Sequence, residues 1–129
     1  MKGIELLDEI PGRGPSARKG CEVTYNARFF LRRGEEVTWD FRSIELYGDR
    51  LVTREIDGVR LIDHKTILGK REPIAAVEKS LYGMQAGGSR EILASAHLCY
   101  GASGIEEHIP QNAMLRIRLW VQHVREPGE

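Results

Sequence analysis

Side chains that could carry out chemistry are few and widely spaced in this chain. Its four histidines are His64, His97, His108 and His123. No two of them have the spacing of ligand pairs on a helix, and a zinc site needs three or four converging ligands, so we predict no metal site. Two cysteines, Cys21 and Cys99, are too few for a disulfide framework and are predicted as free thiols. Tyr100 is the remaining candidate, because a large aromatic residue in a glycine-flanked loop needs a functional reason.

The composition fits a soluble protein with no preference for charged partners. The chain has 129 residues, of which 41% are hydrophobic and 29% charged, enough for one domain with a proper core. Nineteen basic residues balance nineteen acidic ones, which argues against nucleic acid or an anionic membrane as partner. No apolar run approaches the ~20 residues of a membrane span. Acidic residues interrupt the apolar stretch 1–10, unlike a signal peptide, so we expect a cytoplasmic location.

Most of the chain shows the period-two alternation of β-strands. Apolar and polar residues alternate in 21–29, 37–41 and 115–122, which predicts strands with one buried face. Shorter strands are predicted at 4–7, 51–53, 59–62 and 91–94. The pair Asp57-Gly58 is a hairpin signal, because glycine tolerates the positive φ that such turns require.

Only one segment has the periodicity of a helix. Ile74, Val77 and Leu81 recur on one face, Pro73 suits the first helical position, and Gly83 supplies the stop. Many antiparallel-style strands with one short amphipathic helix predict an α+β domain in which a curved sheet packs on the helix.

Several short motifs, taken in order, resemble FKBP-type peptidyl-prolyl cis-trans isomerases. The resemblance covers roughly residues 12–124, begins at Lys19–Tyr25 and resumes at Ile67–Lys70. It is strongest in the last third, in the motifs Gly83-Met84, Gly87-Gly88, Tyr100-Gly101 and Ile109-Pro110-x-Asn112-Ala113-x-Leu115. Each motif is weak alone, but their order and spacing identify the family. The fold that the resemblance implies is a strongly twisted antiparallel sheet wrapped around one short α-helix, in agreement with the periodicity.

The resemblance also implies a substrate pocket that works without cofactor or metal. Tyr100 matches the family's loop tyrosine, which contributes a hydroxyl donor, and Tyr25 matches its pocket tyrosine. Ile74 matches the residue whose backbone N–H meets the carbonyl of the ligand. The substrate-binding positions implied by the resemblance are Val37, Ile74, Val77, Ile109 and Ile117. The family has tryptophan and phenylalanine where this chain has Val77 and Ile117, so we expect a wider or shallower pocket.

The second strand of the resemblance can be aligned in two ways. The family carries a Phe-Asp pair shortly after a glycine turn, and the direct match here is Val37-Thr38. A slip of two residues puts Trp39-Asp40 in the same places, and it preserves the faces of the strand, so alternation cannot choose between them. The stretch 42–64 is longer than the family minimum and is predicted to add a hairpin to a single domain of residues 1–129.

Two functions follow from the resemblance. The first is a peptidyl-prolyl isomerase of modest activity on proline-containing protein or peptide substrates, with a macrolide as a further ligand. The second is a non-catalytic FKBP-like peptide-binding or chaperone module, which would use the altered pocket or the hairpin in 42–64. Retention of Tyr25, Ile74, Tyr100 and Ile109 favours the first function, and the reduced aromatic area favours the second.

Overall fold

Seven β-strands and two α-helices make up the computed structural model, which describes residues 2–129 apart from the side chain of Trp39. The strands are β1 (Ile4–Ile10), β2 (Glu22–Leu31), β3 (Thr53–Ile56), β4 (Val59–Ile62), β5 (His64–Ile67), β6 (Ser89–Ala94) and β7 (Leu115–Arg125). The helices are α1 (Trp39–Tyr47) and α2 (Ala75–Leu81), and short 3-10 turns span Gly48–Arg50 and Ala96–Leu98. Within this described part, no helix is both long and apolar enough to span a bilayer.

Five strands form the main antiparallel sheet in the order β1-β6-β7-β2-β5. Strand β7 shows the predicted alternation most clearly, because Leu115, Ile117, Leu119 and Val121 are fully buried while the residues between them are partly exposed. One face of the sheet packs against α2, whose buried residues include Ala76, Val77 and Leu81. This sheet packed on a helix confirms the predicted α+β, FKBP-like fold.

Helix α2 is confirmed, but it begins after the predicted start. Ile74 is its N-cap residue with extended backbone (φ −59°, ψ 152°), so Pro73 precedes the helix rather than opening it. Gly83 adopts a φ of 85° just after the helix, a left-handed conformation that glycine reaches without steric cost. The predicted stop is therefore in place.

The prediction of a strand at 37–41 is wrong, because the chain forms helix α1 from Trp39 onward. Five alternating residues are too short a pattern to separate a strand from a helix. The spacing of Phe41 and Ile44 also suits one face of a helix, and both side chains are half-buried. Asp40 lies in the first turn, where a negative charge interacts favourably with the helix dipole. The molecule thus has a second helix, which packs on β4.

A two-stranded hairpin, β3–β4, follows α1 and lies apart from the main sheet. Ile56 pairs with Val59, so Asp57-Gly58 forms the turn, with φ of 51° and 80°. Stretch 42–64 therefore contains most of α1, a 3-10 turn and this hairpin.

Asn26, which is fully buried in β2, ties this hairpin to the main sheet. Its side-chain amide donates to the carbonyl oxygen of Ile62 at 2.8 Å and to Oδ1 of Asp63 at 2.7 Å. Gln122, the extra residue of a bulge on β7, donates to Asn26 Oδ1 at 3.0 Å. Arg54 of β3 donates through Nε to Asp63 Oδ1 at 2.7 Å and through a terminal nitrogen to Gln122 at 2.9 Å. These bonds fix where β5 begins.

The charge on Asp63 contributes to this network. The Arg54 guanidinium, and after it the Asn26 amide, hold the pKa of Asp63 below its usual value, although burial opposes the shift. A lowered pKa in the folded state means that the ion pair stabilises the fold above about pH 4, the ordinary value for aspartate, and that this stabilisation is lost as the pH falls below it.

We expect Asn26→Ala to lower the free energy of unfolding by about 1–3 kcal/mol, because it leaves buried partners without hydrogen bonds. The measurement is urea denaturation, with hydrogen exchange to locate the effect, and the amides of β3 and β4 should exchange faster than those of β6. Arg18→Ala is the control, since the Arg18–Glu126 pair is exposed and such pairs contribute about 0–1 kcal/mol. Equal losses in both variants would contradict the role given to Asn26.

Candidate functional site

A cavity of about 160 Å³ lies between β2, α2 and the loop that follows β6. Its wall is formed by Tyr25, Ala27, Phe29, Asp40, His64, Pro73, Ile74, Val77 and Tyr100. Five separate segments of the chain therefore meet at this point, and most of the side chains that they contribute are apolar or aromatic.

Strand β2 supplies one wall through alternate residues. Tyr25, Ala27 and Phe29 point to the same face because side chains in a strand alternate between faces. Tyr25 and Ala27 are buried and Phe29 is half-buried. Asn26, between them, faces the opposite side and belongs to the network described above. One strand thus forms the cavity and holds the hairpin.

Helix α2 and the β6–β7 loop supply the facing wall. Ile74 caps the helix and accepts hydrogen bonds from the N–H groups of Val77 and Glu78. The backbone of Tyr100 is held on both sides: its carbonyl accepts from Gly104 N–H at 3.1 Å, and Gly101 N–H donates to the Ala96 carbonyl at 2.8 Å. A fixed backbone gives the Tyr100 side chain a defined position.

Asp40 and His64 form a polar strip in this otherwise apolar wall. The Nε2 atom of His64 is 3.3 Å from Oδ2 of Asp40. The His64 ring also packs on Tyr25, with ring centroids 5.4 Å apart and planes inclined at 31°. His64 opens β5 directly opposite Tyr25 in β2, so strand pairing sets this contact.

The two tyrosine hydroxyls of the cavity stay protonated well above neutral pH. Burial is the main cause that raises the pKa of Tyr25 to about 12, with further contributions from Asp40, Tyr100 and Glu72. Burial also raises the pKa of Tyr100 to about 12, followed by Cys99 and Asp40. Both hydroxyls can therefore act as hydrogen-bond donors throughout the physiological pH range.

The predicted site residues divide between this cavity and its surroundings. Tyr25, Tyr100, Ile74 and Val77 lie in the wall. Val37 and Ile117 lie in the core instead, Val37 with its N–H bonded to the Phe29 carbonyl at 2.8 Å and Ile117 on β7. Ile109 is 4% exposed and lines a second, neighbouring cleft between the end of β2 and the loop before β7. Contact of these three residues with a substrate stays a prediction.

Asp40 and His64 were not among the predicted site residues. They are 24 positions apart, with α1 and the β3–β4 hairpin between them. Asp40 did belong to the alternative pair Trp39-Asp40, so that alignment was the sequence feature that pointed to this residue. Asp40 lies in the cavity wall. The side chain of Trp39 itself lies outside the described part of the structure.

Thiols and metal ligands contribute little to the site. Both cysteines are free, as predicted; Cys21 is buried, and burial raises the pKa of the half-buried Cys99 to about 11. Among residues 2–129, no three histidine, cysteine or acidic side chains are grouped so that they could hold a metal ion. What the cavity offers to a bound molecule is therefore apolar surface, two hydroxyls and the Asp40–His64 pair.

We expect an absorbance titration of the folded protein to show two tyrosines that ionise near pH 12. Tyr25→Phe and Tyr100→Phe should each remove one of these late steps, whereas Tyr47→Phe, at the exposed end of α1, should leave both. Because the pKa values are raised in the folded state, stability should be complete below pH 10 and fall between about pH 10 and 12. Ionisation of both cavity tyrosines near pH 10 would contradict the burial of their hydroxyls.

Comparison with known proteins agrees with this geometry. Residues 14–119 match the model of the family described as FKBP-type peptidyl-prolyl cis-trans isomerase. The chain is 27% identical over 113 residues to the 39 kDa FK506-binding nuclear protein of Drosophila melanogaster, a match that covers 88% of this chain. It spans only 27% of the length of that relative. The fold, the cavity and the family match together show that the chain belongs to the FKBP-type peptidyl-prolyl cis-trans isomerase family.

Proposed function

We propose that this protein accelerates rotation about X-Pro bonds in protein or peptide substrates, with modest activity and without cofactor or metal. The observation that carries the proposal is the cavity itself: apolar side chains enclose a space of about 160 Å³ beside two protonated tyrosine hydroxyls. Catalytic contact is assigned to Tyr100 and Tyr25.

The chemistry requires no covalent step. Rotation about an X-Pro bond is slow because it breaks amide resonance, at a cost of ~18–20 kcal/mol. The twisted amide has less charge separation than the planar one, so an apolar surrounding such as Ala27, Phe29 and Val77 favours it over the ground state. A fixed hydroxyl donor can then hold the carbonyl oxygen of the rotating bond.

The size of the cavity suits a prolyl ring. Pockets for drug-sized molecules typically measure about 300–1,000 Å³, and this one is about half the lower limit. One five-membered ring fits such a space, with the flanking residues of the substrate outside it. Tyr100, half-buried at the wall, and the backbone N–H of Ile74 are the donors proposed for the substrate carbonyl groups.

A specific observation also favours the second function, a non-catalytic peptide-binding or chaperone module. Leu46, Tyr47 and Val52 are exposed by 61%, 54% and 70%; the first two end α1, and Val52 directly precedes β3. Exposed apolar side chains that lie close together in a folded protein often mark a site of interaction with another molecule. The stretch 42–64 could thus hold a peptide independently of the cavity.

The deciding experiment is NMR exchange spectroscopy on short X-Pro peptides. We expect the protein to accelerate exchange and Tyr100→Phe to lower kcat/KM roughly tenfold, the equivalent of one lost hydrogen bond. Ile74→Asp, which places a carboxylate in the apolar wall, should abolish the acceleration. Tyr82→Phe is the matched control, since this tyrosine is partly exposed and does not line the cavity.

No acceleration by the unaltered protein would reject the isomerase and leave the peptide-binding module. Acceleration that Tyr100→Phe does not change would keep the isomerase but remove Tyr100 from its catalytic residues.

A second experiment tests the ligand named in the Drosophila relative and the two alignments together. In a Trp120→Phe variant the remaining tryptophan is Trp39, so its emission reports on the neighbourhood of Asp40. Because Asp40 lines the cavity, we expect FK506 binding to change this emission. Binding detected by calorimetry without any emission change would favour the Val37-Thr38 alignment, and no binding would remove FK506 as a ligand.

A further inference from the structure

We infer that an acidic cleft next to the cavity described above binds the residues that flank the proline of a substrate. It would select substrates with a basic side chain near that proline. The inference rests on the proposed function, because it assigns a substrate preference to the same site. It adds a second binding region, about 610 Å³ in volume, to the cavity of about 160 Å³.

The cleft lies between the end of β2 and the loop before β7. Leu31, Ile105 and Ile109 give it an apolar floor, and Pro110 forms part of its rim. Ile109 is buried and Leu31 is half-buried, so the floor is part of the folded core rather than a loose surface. An extended peptide could lie on this floor.

The cavity and the cleft are lined by neighbouring residues of the same two segments. Phe29 lines the cavity and Leu31 lines the cleft, and the two residues share one face of β2. On the opposite side, Tyr100 lines the cavity and Ser103 the cleft, within one loop. An extended chain advances about 3.3 Å per residue, so residues two to four positions from a bound proline would reach the cleft.

The charges at the cleft are predominantly acidic. Its single arginine, Arg33, is already paired with Glu35 at 3.3 Å. Glu106 and Glu107 also line the cleft, and both are exposed. Within the part of the chain that the structure describes, neither carboxylate belongs to an ion pair, and His108 is the one other ionisable side chain among the residues that line the cleft.

The loop that carries these carboxylates is held in one shape. Ile105 and Ile109 exchange two backbone hydrogen bonds, of 2.8 and 2.7 Å, with Glu106 and Glu107 in the turn between them. A Cβ atom at Gly104 would come within 2.3 Å of the Ile109 carbonyl oxygen, which explains the glycine that begins this turn. The backbone that carries the two carboxylates is therefore fixed beside the apolar floor.

Lysine and arginine fit this combination of surfaces. Their methylene stems can lie on apolar residues such as Leu31 and Ile105 while the charged group stays at the solvent edge. There the group would meet Glu106 and Glu107. An acidic substrate side chain would meet like charges at the same place.

The test uses peptides with a central Ala-Pro bond and a lysine, glutamate or alanine three residues before or after the proline. NMR exchange, which needs no coupling protease, gives kcat/KM for each peptide at low salt. We expect the lysine peptide to exceed the glutamate peptide by about three- to tenfold on at least one side of the proline. The preferred side also shows the direction in which the chain crosses the cleft.

The variant Glu106→Gln/Glu107→Gln removes both charges with little change of shape. It should bring the lysine-to-glutamate ratio close to one, because the rate of the lysine peptide falls and that of the glutamate peptide rises. Glu5→Gln/Asp8→Asn is the matched control, because it removes the same charge from exposed positions on the edge strand β1, which β6 and β7 separate from β2. The control should keep the ratio of the unaltered protein.

Equal rates for the lysine and glutamate peptides, or a ratio that persists in the Glu106→Gln/Glu107→Gln variant, would overturn the inference while the isomerase stands. If no peptide is isomerised, fluorescence anisotropy with the same labelled peptides replaces the rate. Tighter binding of the lysine peptide that is lost in the cleft variant would support the cleft without the isomerase, and equal binding would overturn it.

Discussion

The hydrogen bonds of Asn26 determine the geometry on which the site depends. Asn26 is a fully buried amide in β2, and it binds the Ile62 carbonyl and the Asp63 carboxylate. These two residues immediately precede β5, so the bonds fix which residue of β5 faces which residue of β2. In this register His64, the first residue of β5, lies opposite Tyr25 of β2. From that position the His64 side chain contacts Asp40 in α1. A buried polar group without partners is costly, so this register is favoured over any slip along β2.

Polar groups in the cavity are stabilised in different ways, and the difference bears on their roles. Tyr25 and Tyr100 keep their protons even in alkaline solution, because burial disfavours the phenolate and raises the pKa of each to about 12. Asp40 instead has His64 at 3.3 Å, and both side chains retain partial contact with solvent. The rest of the cavity wall, which includes Ala27, Phe29 and Val77, is apolar. The space inside this wall suits a reacting group whose charge separation decreases on the way to its transition state.

Sequence patterns predicted the elements in which buried and exposed residues alternate regularly. They failed for elements and contacts whose form depends on packing against distant parts of the chain. Strand β7 and helix α2 were predictable because their apolar residues repeat with one period over the whole element. Helix α1 was missed because the alternation of Val37 and Phe41 covers too few residues, and packing on β4 determines its form. The pairing of Asp40 with His64 depends on the path of the chain through α1 and the β3–β4 hairpin. No local pattern encodes that path.

The small size of the cavity has a consequence for how substrates are held. A prolyl ring buries about three methylene groups, and at about 0.8 kcal/mol each these contribute only about 2–3 kcal/mol. A millimolar dissociation constant already requires about 4 kcal/mol, before the cost of ordering the peptide is counted. A ring bound in this cavity would therefore not hold a peptide by itself, and contacts to the flanking residues would have to supply the rest. Strand β2 provides one face for such contacts, from Tyr25 in the cavity to Leu31 in the cleft, so under the proposed function the residues around the proline would decide which bonds are isomerised.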